Sequence, residues 1–233
     1  MKSLSILIPI YNEEESLQAL FDELKFSFEN NQSIEIIFIN DGSSDMSQKV
    51  IENEIANHST WKLINLYRNY GKSVALQSGI NIASNELIAT LDGDLQDDPK
   101  ELINLVRELN EDDVIVGWKK DRLDPVEKKI ASKIFNFFIK LFSGLKIKDS
   151  NSGIKVLKKE VAKSLNLYGG RHRYIPLLAH QKGFNVKEIP VNHRERKFGK
   201  SKYGAERYKH GFFDFMTILF LGKYMDRPLH FFG

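Results

Sequence analysis

Short apolar runs and longer amphipathic segments take turns along the first half of the chain. Leu4–Ile10 reads as a strand and Glu14–Phe28 as an amphipathic helix. Ile34–Ile39 is a β-branched run, followed by helical spacing over Gln48–Asn57. Trp61–Leu66 predicts a third strand, Lys72–Ala83 a helix, and Glu86–Leu91 a fourth strand whose centre, Leu87–Thr90, is wholly buried in character. Lys100–Leu109 predicts a helix, opened by Pro99, and Val114–Trp118 a fifth strand. Strands that are apolar throughout, separated by helices, predict an α/β fold: a mostly parallel, Rossmann-like sheet flanked by helices. Such sheets bind ligands beyond the C-terminal ends of their strands. Three polar loops fall there: Tyr11–Glu15, Asn40–Asp45 and Asp92–Asp98.

The second half changes character. Pro125–Phe142 carries Ile130, Ile134, Phe137, Phe138 and Leu141 near helical spacing, a stripe best read as core packing. Asp149–Lys155 is a polar loop entering a short strand, Ile154–Leu157; Tyr174–Lys182 reads as a helix and Phe184–Val191 as a strand. His193 to Gly204 is basic, contains glycine and has few apolar anchors, which predicts a mobile loop. Beyond it, Phe212, Phe213, Phe215, Met216, Ile218, Leu219, Phe220 and Leu221 form an apolar surface broken by Asp214 and flanked by His210, Lys223 and Arg227. Such a segment suits a helix lying in a membrane interface, or one packed on the globular domain or a second subunit. No run reaches the roughly 18 apolar residues of a membrane span.

Composition narrows the chemistry. The 233 residues are enough for one large domain, and 42% hydrophobic with 28% charged residues is ordinary for a globular protein. The net charge of +3 gives no argument for nucleic acid. Without cysteine, disulfides and thiolate metal sites are excluded. The opening apolar run is short, contains Pro9 and ends in acidic residues, unlike a signal peptide.

The most informative stretch is Leu91-Asp92-Gly93-Asp94-Leu95-Gln96-Asp97-Asp98-Pro99. Two carboxylates one residue apart at a strand end can converge on one hard cation, Mg²⁺ or Mn²⁺, which bridges protein oxygens to substrate phosphates. Gly93 leaves room for a ligand near the backbone, and Gln96 adds a neutral oxygen. The bland reading is a solvated acidic turn. The preceding strand and the other two loops favour the metal. Arginine and lysine gathered in the later basic segment suit an anion clamp.

Six ordered motifs resemble family 2 glycosyltransferases of the GT-A fold, and among them the polyprenyl-phosphate glycosyltransferases, including dolichyl-phosphate mannose synthases. They are Ile8-Pro9-Ile10-Tyr11-Asn12-Glu13-Glu14, Asn40-Asp41-Gly42-Ser43-Ser44-Asp45, Asp92-Gly93-Asp94-Leu95-Gln96, Asp149 to Lys155, Arg196 to Tyr203, and Arg227 to Gly233. The resemblance implies a nucleotide-sugar donor held by Pro9, Tyr11, Glu13, Ile39 and Asp41, with Asp41 on the base. Strand packing is the plain alternative for Pro9 and Ile39. It implies Asp92, Asp94 and Gln96 on Mg²⁺ or Mn²⁺, Gly93 beside the donor, and Arg196 and Lys202 on phosphate. Asp94, Arg196 and Lys202 are the expected catalytic set. Lys119 stands where relatives carry arginine, with Lys120 and Arg122 able to share its work.

The implied reaction is inverting transfer to a polyprenyl (dolichyl or undecaprenyl) phosphate. An acceptor that is already an anion needs no general base. A saccharide hydroxyl would need one, which the sequence does not designate, with Asp94, Asp97 and Asp98 left as candidates. The competing readings are that hydroxyl acceptor, an idle sugar-nucleotide-binding scaffold and, on fold alone, a nucleotidyltransferase. The expected organisation is a catalytic domain over 1–209 and an amphipathic membrane-interface segment over 210–233. It would lie at the cytoplasmic face of a membrane, peripheral or anchored by a C-terminal transmembrane region missing from this chain. Sugar, base, lipid and oligomeric state are left open.

Overall fold

The computed structural model describes residues 2–28, 31, 33–120, 141, 143–145, 147–192, 194–195 and 213–221. The long segment Pro125–Phe142, Arg122, almost all of the basic loop with Arg196 and Lys202, and the closing Arg227–Gly233 motif lie outside these residues, apart from Leu141. Seven strands form one sheet in the order β3-β2-β1-β4-β6-β5-β7. They are β1 (Leu4–Ile10), β2 (Ile34–Asn40), β3 (Trp61–Asn65), β4 (Leu87–Thr90), β5 (Val114–Lys119), β6 (Lys155–Lys158) and β7 (Val186–Val191). The helices are α1 (Glu14–Phe28), α2 (Ser47–Ile55), α3 (Lys72–Ile82), α4 (Glu101–Glu108), α5 (Lys159–Ser164) and α6 (Ile175–Gln181), with a 3₁₀ turn at Arg171–Tyr174. Residues 213–221 form a further helix, α7. The expected mostly parallel sheet is present; α5 and the 3₁₀ turn are additions to the sequence reading.

Alternation along the strands divides the core. Leu4, Ile6, Ile8 and Ile10 of β1 and Ile34, Ile36 and Phe38 of β2 face α1, where they meet Leu17, Leu20, Phe21 and Leu24. Leu7, Ile37 and Ile39 face the other way, onto Ala75, Leu76 and Ile80 of α3. Each fully buried aliphatic side chain contributes roughly 1.5–3 kcal/mol, so this two-sided burial fixes register firmly. Ile39 is fully buried in that second layer, where its side chain packs the core.

Two topological facts make the site. β1 and β4 are adjacent and parallel, yet β2 and β3 lie to one side and the later strands to the other. That reversal opens a crevice at their C-terminal ends. β6 is antiparallel to both β4 and β5. Its N-terminal end therefore arrives at the edge where β4 finishes, and the Asp149–Lys155 loop meets Asp92.

Helix α7 buries Phe215 and Ile218 against Leu145, Ile147, Tyr174 and Leu177. Phe213, Met216 and Phe220 are exposed. Their spacing of three and four residues puts them on one stripe. The apolar surface read from sequence is thus split: one face is core, the other faces outward.

Candidate functional site

The loops after β1 and β2 are tied together before any ligand arrives. The Asn12 N–H donates to Ser43 Oγ at 3.0 Å, the Glu13 N–H to Ser47 Oγ at 2.9 Å, and the Ser44 N–H to Asn12 Oδ1 at 2.7 Å. Asn12 adopts a left-handed backbone with φ 51°, which asparagine tolerates well. Gly42, at φ 67°, lies directly against the backbone of Arg68 and Asn69, where no side chain would fit. Asp41 is buried and accepts the N–H groups of Tyr70 (2.8 Å) and Gly71 (2.9 Å). Burial pushes its carboxyl pKa up, against those two hydrogen bonds. Asp41 therefore shapes the 68–71 turn as well as standing at the expected base position. Tyr11 is exposed at the rim, and Pro9 and Glu13 are half-buried.

The loop after β4 is held by Leu95, whose side chain is buried in the core although its backbone is left-handed at φ 61°. That conformation is strained for leucine, and it turns Asp94 and Gln96 out on either side. The Gln96 N–H donates to Asp94 Oδ1 at 3.2 Å, and the Gln96 carbonyl accepts the Arg194 N–H at 2.9 Å. Arg194 also pairs with Glu23 at 2.7 Å and with Asp98. The start of the basic segment is thus pinned to the site's edge. Gly93 differs from expectation: a Cβ there would stand 2.5 Å from Ile10 Cδ1, and its carbonyl accepts the Ser16 hydroxyl at 3.1 Å. The missing side chain makes room for the Ile10 side chain.

Around Asp92 the structure assembles more charge than the sequence suggested. Lys72, the first residue of α3, pairs with Asp92, and Lys119, from the end of β5, pairs with Asp97 at 3.0 Å. Asp97 is buried and the Lys119 side chain is largely covered. Asp92 Oδ2 and Asp97 Oδ2 each stand 2.7 Å from where a Cβ at residue 153 would be, so Gly153 is the floor on which two carboxylates converge. Burial works against the Asp92 anion, but Lys72, then Lys119 and Lys155, hold its pKa far below the usual carboxylate range. Burial likewise opposes the Lys119 ammonium, while Asp97 and Asp92 keep it charged. Lys119 was expected to contact phosphate; here its charge is spent on Asp97.

Beyond Asp92 lies a small cavity of about 10 Å³, lined by Lys72, Asn151, Ser152, Lys155 and His172 among others. Lys155 is only 3% exposed. Burial, then the nearby Lys72, lowers its pKa to about 8. Ser73 Oγ accepts the His172 backbone N–H at 3.0 Å and lies 2.9 Å from His172 Nδ1. The Ser73 hydroxyl thereby holds the His172 ring at Nδ1 and fixes its orientation. Burial, with Lys72 and Arg173 adding repulsion, keeps this imidazole neutral well below its ordinary pKa. His172 carries no signal in sequence; Lys155 was marked only as the last residue of the Asp149–Lys155 motif, and its burial was not foreseen, since a lysine opening an apolar strand reads as solvent-facing.

The donor set fits a hard divalent cation. Asp97 Oδ2 is a buried oxygen without a hydrogen-bond partner among the described residues, next to Asp92 Oδ2 across Gly153. Carboxylate oxygens with no nitrogen or sulfur ligand suit Mg²⁺ or Mn²⁺, ions that take one or two carboxylates and complete their shell with water and phosphate. Among the described residues no three acidic or histidine side chains converge to enclose an ion by themselves. An ion here would share its shell with a substrate.

Residues 5–165 match the family model described as glycosyl transferase family 2. Two curated relatives align along nearly the whole chain. A dodecaprenyl-phosphate galacturonate synthase of Rhizobium johnstonii is 35% identical over 99% of this chain and 70% of its own length. An undecaprenyl-phosphate 4-deoxy-4-formamido-L-arabinose transferase of Yersinia pestis is 36% identical over 94% and 68%. Two solved structures share the fold at low identity. A Pyrobaculum calidifontis mannosyltransferase in complex with GDP-Man and Mn²⁺ superposes with a TM-score of 0.68 at 15% identity; the match covers 93% of this chain and 64% of that one. A Mycobacterium tuberculosis glucosyl-3-phosphoglycerate synthase in complex with Mn²⁺ and UDP-glucose gives 0.70 at 14%, covering 94% and 78%.

Proposed function

The chain belongs to glycosyl transferase family 2 and is a glycosyltransferase, and we propose that it moves a sugar from a nucleoside-diphosphate donor to a polyprenyl phosphate, with inversion. The observation that carries this reading is the meeting of Asp92 and Asp97 over Gly153, ringed by Lys72, Lys119 and Lys155, at the C-terminal edge of the sheet. Opposed charges in that crevice suit a diphosphate bound through a cation. The relatives named for dodecaprenyl and undecaprenyl phosphate support the acceptor. They differ in the sugar, which leaves the donor's glycosyl group to be found.

Asp92 and Asp94 would hold Mg²⁺ or Mn²⁺, with Asp97 beside them and Gln96 at the loop's turn. The ion, when bound, neutralises charge developing on the leaving diphosphate. The remaining work belongs to the chain. Asn12, Ser43 and Ser47 fix the loops that would bracket base and ribose. Pro9, Tyr11, Glu13 and Asp41 stand along that bracket. Lys72 sits between Asp92 and the cavity, placed to exchange its carboxylate partner for a phosphate oxygen. The acceptor phosphate is an anion near neutral pH, so the attacking oxygen needs no base. Arg194 anchors the segment that leads to Arg196 and Lys202, the residues proposed to align that anion. Rate then comes from positioning and electrostatics.

No helix among the described residues is long and apolar enough to cross a membrane. The Phe213–Met216–Phe220 stripe is proposed to meet the headgroup region at a membrane's cytoplasmic face, with Phe215 and Ile218 docking α7 on the catalytic body. In that reading residues 210–233 are the membrane-facing extension of a catalytic unit spanning 1–209.

The test is transfer itself. The chain is incubated with Mn²⁺ or Mg²⁺, labelled UDP- or GDP-sugars and undecaprenyl phosphate in detergent. Metal-dependent label in the organic phase supports the reading. Label that stays water-soluble, on a saccharide supplied as competitor, supports a hydroxyl acceptor and refutes it.

A further inference from the structure

The loop after β4 bends through a conformation that leucine avoids. Leu95 stands at φ 61° with its side chain buried in the core. A backbone held this way persists only where its surroundings fix it from several sides. The Leu95 side chain is one anchor. The segment leaving β7 supplies others. The Arg194 N–H donates to the Gln96 carbonyl at 2.9 Å. The Arg194 guanidinium divides between two acids, Nη2 donating to Asp98 Oδ2 and Nη1 to Glu23 Oε1 at 2.7 Å. Glu23 is a fixed post, because its neighbours on α1, Phe21 and Leu24, are packed in the core. Asp98 is held on both oxygens, since Oδ1 accepts the Lys100 N–H at 3.0 Å. Asn192 donates from Nδ2 at 2.7 Å and from its N–H at 3.2 Å to Glu101 Oε1, at the start of α4.

These bonds strap the end of β7 across the loop from Gln96 to Glu101. The strapped loop is the one that aims a carboxylate of the ion site. The Gln96 N–H donates to Asp94 Oδ1 at 3.2 Å. Gln96 is therefore a joint: one side of its main chain orients Asp94, and the other is gripped by Arg194.

Resting on the ion-dependent nucleotide-sugar reading above, we propose that Arg194 is a positioning residue for that ion: gripping Asp98 and the Gln96 carbonyl, it keeps Leu95 in its left-handed bend and Asp94 turned to the ion. Without the guanidinium the bend relaxes, and Asp94 and Gln96 swing with it. Electrostatics alone pulls the other way. Arg194 is a cation near a cation's site, so by Coulomb repulsion its removal would tighten ion binding. The Arg194 side chain is 33% exposed and already paired with two acids, so water and those acids screen that repulsion. Groups that hold a metal ligand from behind cost about tenfold to a hundredfold in metal affinity when lost. Positioning wins, and the two effects differ in sign.

For the test, Mn²⁺ is titrated calorimetrically into the chain saturated with UDP or GDP. A parent chain that takes up no Mn²⁺ with either nucleotide refutes the nucleotide-sugar reading, and this proposal with it. Arg194→Met keeps the main-chain bond to Gln96 and the aliphatic stem, and it should bind Mn²⁺ about tenfold more weakly. Its nucleotide affinity at saturating Mn²⁺ should stay within about twofold of the parent's, a split that general loosening of the fold would not give. Asp98→Ala should weaken Mn²⁺ binding as well, and adding Arg194→Met to it should cost nothing further, because Arg194 acts through Asp98. Parental or tighter Mn²⁺ affinity in folded Arg194→Met overturns the proposal. So does a full tenfold loss on top of Asp98→Ala. Arg194→Lys keeps the charge but not the fork that spans both acids, and should lose about threefold. Parental Mn²⁺ affinity in Arg194→Lys decides against the proposal even where the methionine variant does not fold.

Discussion

Replacing Gly153 by alanine isolates the geometry on which the carboxylate pair depends. The added methyl carbon would stand 2.7 Å from both Asp92 Oδ2 and Asp97 Oδ2, and 2.8 Å from Asp92 Cγ. Carbon and oxygen settle at about 3.3 Å or more, so each carboxylate must withdraw by about 0.6 Å. Neither moves freely: Asp92 is paired with Lys72, and Asp97 is buried against Lys119. The Gly153 carbonyl is also fixed, accepting the Thr90 hydroxyl at 2.6 Å. Crowding of this kind costs about 1–3 kcal/mol of stability. A misplacement of this size at an ion-binding pair should lower turnover by roughly tenfold to a hundredfold. The assay is Mn²⁺ affinity by calorimetry in the presence of the bound nucleoside diphosphate, alongside sugar transfer and thermal unfolding. Gly153→Ala should unfold a few degrees lower, bind Mn²⁺ more weakly and transfer more slowly. A folded variant with parental Mn²⁺ affinity and parental turnover would show that Asp92 and Asp97 do not act as a pair across this glycine.

Asp92→Asn and Asp94→Asn should each keep the fold and lose roughly two orders of magnitude in transfer; near-native rates in both, with Mg²⁺ or Mn²⁺ present, would remove the ion from the mechanism. Lys119→Ala should act mainly on stability, because it leaves Asp97 buried without its cation, a change that costs about 3–5 kcal/mol. A thermal midpoint unchanged in Lys119→Ala, with only substrate affinity reduced, would restore the phosphate-contact role expected from sequence. Phe213→Ser with Phe220→Ser should leave unfolding within about 1 kcal/mol and weaken binding to anionic vesicles, whereas Phe215→Ala should cost about 3–5 kcal/mol; vesicle binding unchanged in the folded double variant would refute the membrane-facing stripe.

The strand–helix rhythm was legible because a parallel sheet covered on both faces needs strands that are apolar throughout, and these are visible as runs. The three loops beyond those strands were legible for the same reason, since strand ends locate them. The reversal of β6 was not. A run such as Ile154-Lys155-Val156-Leu157 says strand but carries no direction. Only pairing with β4 and β5 decides that its first residues, not its last, reach Asp92. Gly153 and Lys155 enter the site through that decision.

Pairings across sequence distance escaped for a related reason. Lys119 and Asp97 are each unremarkable in their own segments, and their burial together depends on β5 and the β4 loop finishing side by side. The apolar residues of α7 illustrate the opposite error, where pattern was read too generously. Phe213, Phe215, Met216, Ile218 and Phe220 look alike in a list of hydrophobics, yet a helix can turn only one stripe to its neighbour. Tyr174 and Leu177 claim Phe215 and Ile218, and the others are left on the far side. The same helix also reaches toward the chemistry. Asp214 lies directly against Gly170, at the entry to the 3₁₀ turn that carries His172 to the Lys155 cavity. The outward stripe and the cavity lined by Lys72, Lys155 and His172 are therefore joined through four consecutive residues, Gly170 to Arg173. The docking of α7 and the placement of His172 are parts of one packed unit, so a substitution that loosens Phe215 or Ile218 should also disturb the His172 turn.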